Sequence, residues 1–141
     1  MVTVLTGEWL FVGSKMTDIH GNPLEDSMSL ASGMIMYGVS GYMSVQLTIP
    51  DSQDSTSQYK MDTSYLAYYG KYDFNADSQC VVHHVMGSNR AELLGKSFVR
   101  RVKYHQHGGI SLQNLEPEKI AIQRPIYREL FWQLLKEEKT Q

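Results

Sequence analysis

Two adjacent imidazoles, His83 and His84, sit in the run Cys80–Met86 (CVVHHVM), and Arg100 follows in Ser97–Tyr104 (SFVRRVKY). An imidazole titrates near neutrality and is the usual general base, while a guanidinium or a tyrosine hydroxyl stabilises an enolate or other oxyanion. Together these types suffice for proton abstraction beside a carbonyl or for a guided cyclisation. They suffice equally to orient one polar group of a bound molecule among apolar walls. Each also has a plainer use: an interior histidine as a satisfied hydrogen-bonding residue, and Arg100 as a structural partner for a buried carboxylate such as Glu129.

Other chemistries lack their residues. His83, His84, His105 and His107 are four imidazoles, but neighbours on a strand face opposite ways, and no carboxylate or Cys stands at ligand spacing, so no metal is expected. There is no G-x-S-x-G elbow, phosphate-binding loop or dinucleotide fingerprint, so no cofactor is expected. Cys80 is the only cysteine and reads as a small core hydrophobe, with no intrachain disulfide possible.

The elements that position these groups are short β-rich runs separated by Gly, Asn and Asp turns. Strands are expected at Gly7–Lys15, Gly33–Gly38, Tyr42–Ile49, Gly70–Phe74, Cys80–Met86, Ser97–Tyr104, Gly109–Leu115 and Tyr127–Leu135. Spacings of three and four among Tyr59, Met61, Thr63, Tyr65, Leu66 and Tyr69 predict one short helix over Ser57–Tyr68. About eight sequential strands close readily into an all-β, antiparallel, up-and-down barrel, whose interior is just wide enough for one small ligand. An exposed edge near Ala31–Val39 makes a homodimer conceivable.

Alternation then sorts side chains. Arg101 and Lys103 belong in water, which turns Phe98, Arg100, Val102 and Tyr104 inward; Lys71 and Asp73 outside leave Tyr72 and Phe74 inside. For Cys80–Met86 both faces are mostly apolar. One imidazole, His83 or His84, therefore turns inward in either register, and alternation leaves the two open. In Tyr42–Leu47 the ordinary pattern puts Met43, Val45 and Leu47 inside. If a helix covered that triplet from outside, Tyr42, Ser44 and Gln46 would line the interior instead.

A chain of 141 residues with 42% hydrophobic and 20% charged residues fits one soluble domain spanning 1–141. Net charge −2 leaves no basic excess to neutralise phosphates, so nucleic acid is not an expected partner. No apolar run approaches the ~20 residues of a membrane helix, and the beginning lacks the basic and apolar regions of a leader, so a cytoplasmic location away from membranes is expected.

Several stretches resemble a known family. Gly7-Glu8-Trp9 is similar to the Gly-x-Trp of the first lipocalin strand. GYMSVQL (Gly41–Leu47), YLAYYGKYDF (Tyr65–Phe74), VVHHVMGS (Val81–Ser88), the Gly95…Arg100 segment and Leu130-Phe131-Trp132 resemble, in order, the lipocalin-like domain family of bacteria and fungi. The likeness runs from about Gly7 to Trp132. It departs after the His-His strand, where Asn89–Leu94 replaces a Pro-Asn-Trp-like loop, so one wall of the pocket differs. The resemblance implies a calycin-type barrel, and it favours Tyr42, Ser44 and Gln46 as lining residues. It also pairs Trp9 with Arg128, as where a lipocalin Arg covers the barrel-end Trp. The family has no single established activity. The expectation is therefore a barrel binding a small apolar or aromatic molecule through Tyr42, Ser44, Gln46, Tyr72, Phe74, Phe98 and Tyr104. The alternative is a cofactor-free isomerase or cyclase using His83 (or His84) and Arg100.

Overall fold

Met43, Val45 and Leu47 are buried while Tyr42 and Gln46 are exposed, and this two-residue period recurs around the molecule. A computed structural model describes residues 2–50, 65–119 and 125–136. Its strands are β1 (Gly7–Asp18), β2 (Pro23–Leu24), β3 (Ser32–Tyr37), β4 (Tyr42–Thr48), β5 (Tyr65–Asn75), β6 (Cys80–Ser88), β7 (Ser97–His105), β8 (Gly109–Asn114), β9 (Glu118–Lys119) and β10 (Pro125–Leu134).

Eight of them close a ring in the order β1-β3-β4-β5-β6-β7-β8-β10, and β10 returns to pair with β1. Every pairing is antiparallel, and the two-residue β2 and β9 lie beside β1 and β10. Closure satisfies the hydrogen-bonding edges that an open sheet would expose. The all-β barrel expected from the hairpin succession is thus the observed fold.

The expected helix is not. Among the described residues there is no α-helix, only 3-10 turns at Ser27–Leu30, Ala91–Leu93 and Gln106–Gly108. Tyr65–Tyr68, the C-terminal part of the expected helix, begins β5 and pairs with Val45–Thr48; the rest of it, 57–64, lies outside the described residues. Spacings of three and four among tyrosines imitated a helix, but a two-residue period fits the same residues. Leu66, Tyr68, Tyr72 and Phe74 pack against the core, while Tyr69 is exposed.

The strands' directions define two ends. At one end the turns β3–β4, β5–β6 and β7–β8 meet the start of β1 and the end of β10. The segment 2–6 plugs this end: Val2 N donates to Gln79 Oε1 (3.0 Å), Gln79 Nε2 donates to Val2 O (2.7 Å), and Trp9 Nε1 donates to the carbonyl of buried Leu5 (2.9 Å). Trp9 therefore owes its cover to the N-terminal segment and not to Arg128. In the β1–β10 register Trp9 faces Leu134, whereas Arg128 faces Met16, seven residues further along β1. Gly70 permits the close crossing of β5 and β6, since a Cβ there would collide with the backbone carbonyl of His84.

Candidate functional site

The inward faces of the strands do not fill the barrel. Among the described residues a cavity of about 860 Å³ extends toward the end opposite the plug. Its deeper wall is apolar, with Ile35, Val45, Leu47, Leu112, Leu130 and Trp132 among the lining residues. Such a space is within the range of sites that engulf drug-sized molecules.

His83 occupies the inner face of β6 between Val81 and Val85 and is only 2% exposed. Its Nε2 lies 2.6 Å from the Tyr37 hydroxyl and its Nδ1 2.7 Å from the Tyr68 hydroxyl. Burial, reinforced by the nearby Arg100 and His84 charges, lowers its pKa to about 3, so the ring is neutral at physiological pH. Tyr37, fully enclosed, is pushed well above the ordinary phenol range, first by desolvation and then by Tyr68 and Tyr72. It keeps its proton.

A neutral imidazole donates from one nitrogen and accepts at the other. If Tyr37 accepted from Nε2, its own buried proton would have no partner. Tyr37 therefore donates to Nε2, Nδ1 carries the hydrogen and donates to Tyr68, and the proton of Tyr68 points away from the ring. The result is a directed relay, Tyr37 to His83 to Tyr68, ending on a cavity-lining hydroxyl. Tyr72 braces it: its hydroxyl donates to Gly38 O (2.8 Å) and its ring meets that of Tyr37 edge-on at 4.7 Å.

Arg100 also lines the cavity, its guanidinium 5.1 Å from the centre of the Phe98 ring and its Nη1 donating to Val99 O. The structural lock with Glu129 does not form. Glu129 stands on the outer face of β10, where it accepts a short hydrogen bond from Ser111, itself bonded to His105. At the end opposite the plug, Asp26 caps the turn Ser27–Leu30 through Met28 N (3.0 Å), accepts from Ser14 Oγ (2.7 Å) and lies 3.5 Å from Arg128 Nη2. This holds Met28 over the cavity. Asn114 is fully engaged, donating to Glu116 O and Ile126 O and accepting from Arg128 N. Trp132 Nε1 has no hydrogen-bond partner among the described residues, and its ring packs edge-on against Phe11 at 5.3 Å.

The sequence-derived candidates thus divide. His83, Arg100 and Phe98 line the cavity; Tyr72 and Phe74 face inward but support it from below. His84 faces outward, between Ser97 Oγ (2.9 Å) and Asp73 Oδ2 (3.0 Å). Tyr42, Ser44 and Gln46 lie on the outer face of β4 and do not line the cavity. No described helix covers that face, so the apolar alternates have only the interior in which to escape water. Tyr104 is 56% exposed, because β7 has by then run to the plugged end, beyond the hollow.

Sequence reasoning missed Tyr37 and Tyr68. Tyr37 carried a signal, since it shares a face with Ile35 on β3. Tyr68 was hidden by its assignment to a helix, which has no inward–outward alternation. Among the described residues, no group of three or more potential ligands could hold a metal ion.

A closed antiparallel eight-stranded barrel with a plugged base and, among the described residues, a hollow interior is the architecture of the calycin class. The family model described as lipocalin-like domain matches residues 6–133, and the chain belongs to that family. No curated protein gives a significant match.

Proposed function

We propose that this protein binds one small, partly apolar molecule inside its barrel and acts as a carrier or sequestering protein. The observation that carries this reading is the 860 Å³ hollow, apolar in its depth and equipped on one wall with the Tyr68 end of the relay and Arg100. Apolar surface removed from water supplies affinity, about 25 cal/mol per Å² before the costs of association, and a few fixed donors supply orientation.

The same pocket admits a second reading, acid/base tailoring of a bound substrate, but the geometry of His83 favours the first. A general base must present a lone pair to its substrate. Here both ring nitrogens are occupied by tyrosine hydroxyls, and burial makes the imidazole a weak base. The relay serves better to fix Tyr68 than to take a proton. The test is titration with a neutral naphthylamine fluorophore, read as enhanced emission with saturation at one site per chain. Leu130→Trp, which fills the hollow, is expected to weaken uptake strongly. Failure of every apolar probe to saturate would overturn the reading, and conversion of a bound compound that ceases in His83→Phe would establish the catalytic one.

A further inference from the structure

On the outer wall, His84 stands between the two groups that a serine nucleophile needs. Asp73 on β5, His84 on β6 and Ser97 on β7 project from three neighbouring strands, and His84 is directly opposite Ser97 in the register. Asp73 Oδ2 lies 3.0 Å from His84 Nε2, and Ser97 Oγ lies 2.9 Å from Nδ1. A carboxylate only accepts hydrogen bonds, so Nε2 of the neutral ring carries the hydrogen. Nδ1 then keeps a lone pair, and the Ser97 hydroxyl donates to it. Carboxylate, imidazole and hydroxyl are thus linked in the order that activates a serine, on paired strands that fix their spacing. The inner His83 has no such freedom, since both of its nitrogens are bonded to tyrosines.

The exposed Ser97 also borders the hollow. Among the described residues β7 pairs with β8 from Arg100 onward, so residues 97–99 run on past the end of β8. There both faces of the strand reach the cavity: the consecutive Lys96, Ser97, Phe98 and Val99 all line it. An apolar chain resting against Phe98 leaves the polar end of the same molecule within reach of Ser97. Lys96 brings a positive charge to this rim, and a cation there favours a developing oxyanion.

We propose that Ser97, His84 and Asp73 form a hydrolytic site for esters of small apolar acids. Ser97 Oγ bonds to the ester carbonyl carbon as its proton passes to His84 Nδ1. The tetrahedral oxyanion collapses, the C–O bond to the alcohol breaks, and the alcohol leaves with that proton. Water then attacks the acyl-serine in the same way, releasing the acid and restoring the hydroxyl. Ser97 and His84 are the catalytic residues, and Asp73 is a positioning residue that holds the tautomer. This chemistry is independent of what the barrel carries.

The test is hydrolysis of 4-nitrophenyl butyrate, read as nitrophenolate release, together with labelling by an alkyl fluorophosphonate located by mass spectrometry. The label is expected on Ser97, with loss of fluoride. Ser97→Ala is expected to abolish it and to lower the hydrolysis rate about hundredfold, and His84→Gln to cost about as much. Asp73→Asn is expected to lower kcat about tenfold at unchanged KM, and Asp73→Glu to regain part of that loss, a split that misfolding would not give. The far-ultraviolet circular dichroism of each variant reports that the barrel is intact. Turnover that survives Ser97→Ala, a label found elsewhere with Ser97 untouched, or no turnover above the rate in buffer would each overturn the assignment.

Discussion

His83 and His84 are the same side chain one residue apart, yet they live in different solvents. His83 is enclosed by Tyr37, Tyr68 and apolar strands and is held neutral by desolvation. His84 lies on the barrel surface beside Asp73, with side-chain exposures of 43% and 81%. The pleat alone makes this difference: a one-residue step exchanges the interior for water. An imidazole's chemistry is therefore set by strand parity before any neighbour acts on it.

Breaking the inner member should cost most. His83→Phe strands the buried Tyr37 hydroxyl, removes one partner of Tyr68 and presses a larger apolar ring between them, so a loss of about 2–4 kcal/mol is expected in urea unfolding. Tyr37→Phe leaves Nε2 buried without its donor, with an expected loss of about 1–2 kcal/mol.

The pH dependence sharpens the contrast. The folded pKa of His83 is about 3 against an ordinary 6.5, so on acidification the unfolded chain takes up this proton first. The stability tied to the neutral ring is complete above about pH 6.5 and is lost progressively toward pH 3. Its slope reaches up to about 1.4 kcal/mol per pH unit. His83→Gln is expected to flatten the stability profile between those limits, measured as denaturation midpoints across the range.

The outer member should matter least. His84→Ala removes an exposed pair and is expected to change stability by no more than about 0.5 kcal/mol. A cost comparable to that of His83→Phe would mean that the two faces are not so different as the geometry states.

The parts of this arrangement legible in sequence were those governed by period two with an unambiguous charged face. Lys71 and Asp73 marked the outside of β5, as Arg101 and Lys103 did for β7, and Phe98, Arg100 and Tyr72 followed correctly onto the inner side. The barrel itself followed from the succession of hairpins. Tyr42, Ser44 and Gln46 were misplaced because they depended on a helix to seat Met43, Val45 and Leu47 from outside. Tyr104 shows a different limit: parity gives a direction but not a depth, and where the hollow ends depends on the plug formed by residues 2–6. The relay joins β3, β5 and β6, so its distances arise only from closure of the ring and cannot be read from any local window.

The central claim is that the interior, and not the outer surface, receives the ligand. An isotope-filtered nuclear Overhauser spectrum of the labelled protein with the neutral fluorophore tests it most directly. Contacts are expected from the probe to the Val45 and Leu112 methyl groups and the Trp132 indole, all lining residues. Contacts confined to exposed residues of the outer face, such as Leu10, Val12 and Tyr69, would contradict the account.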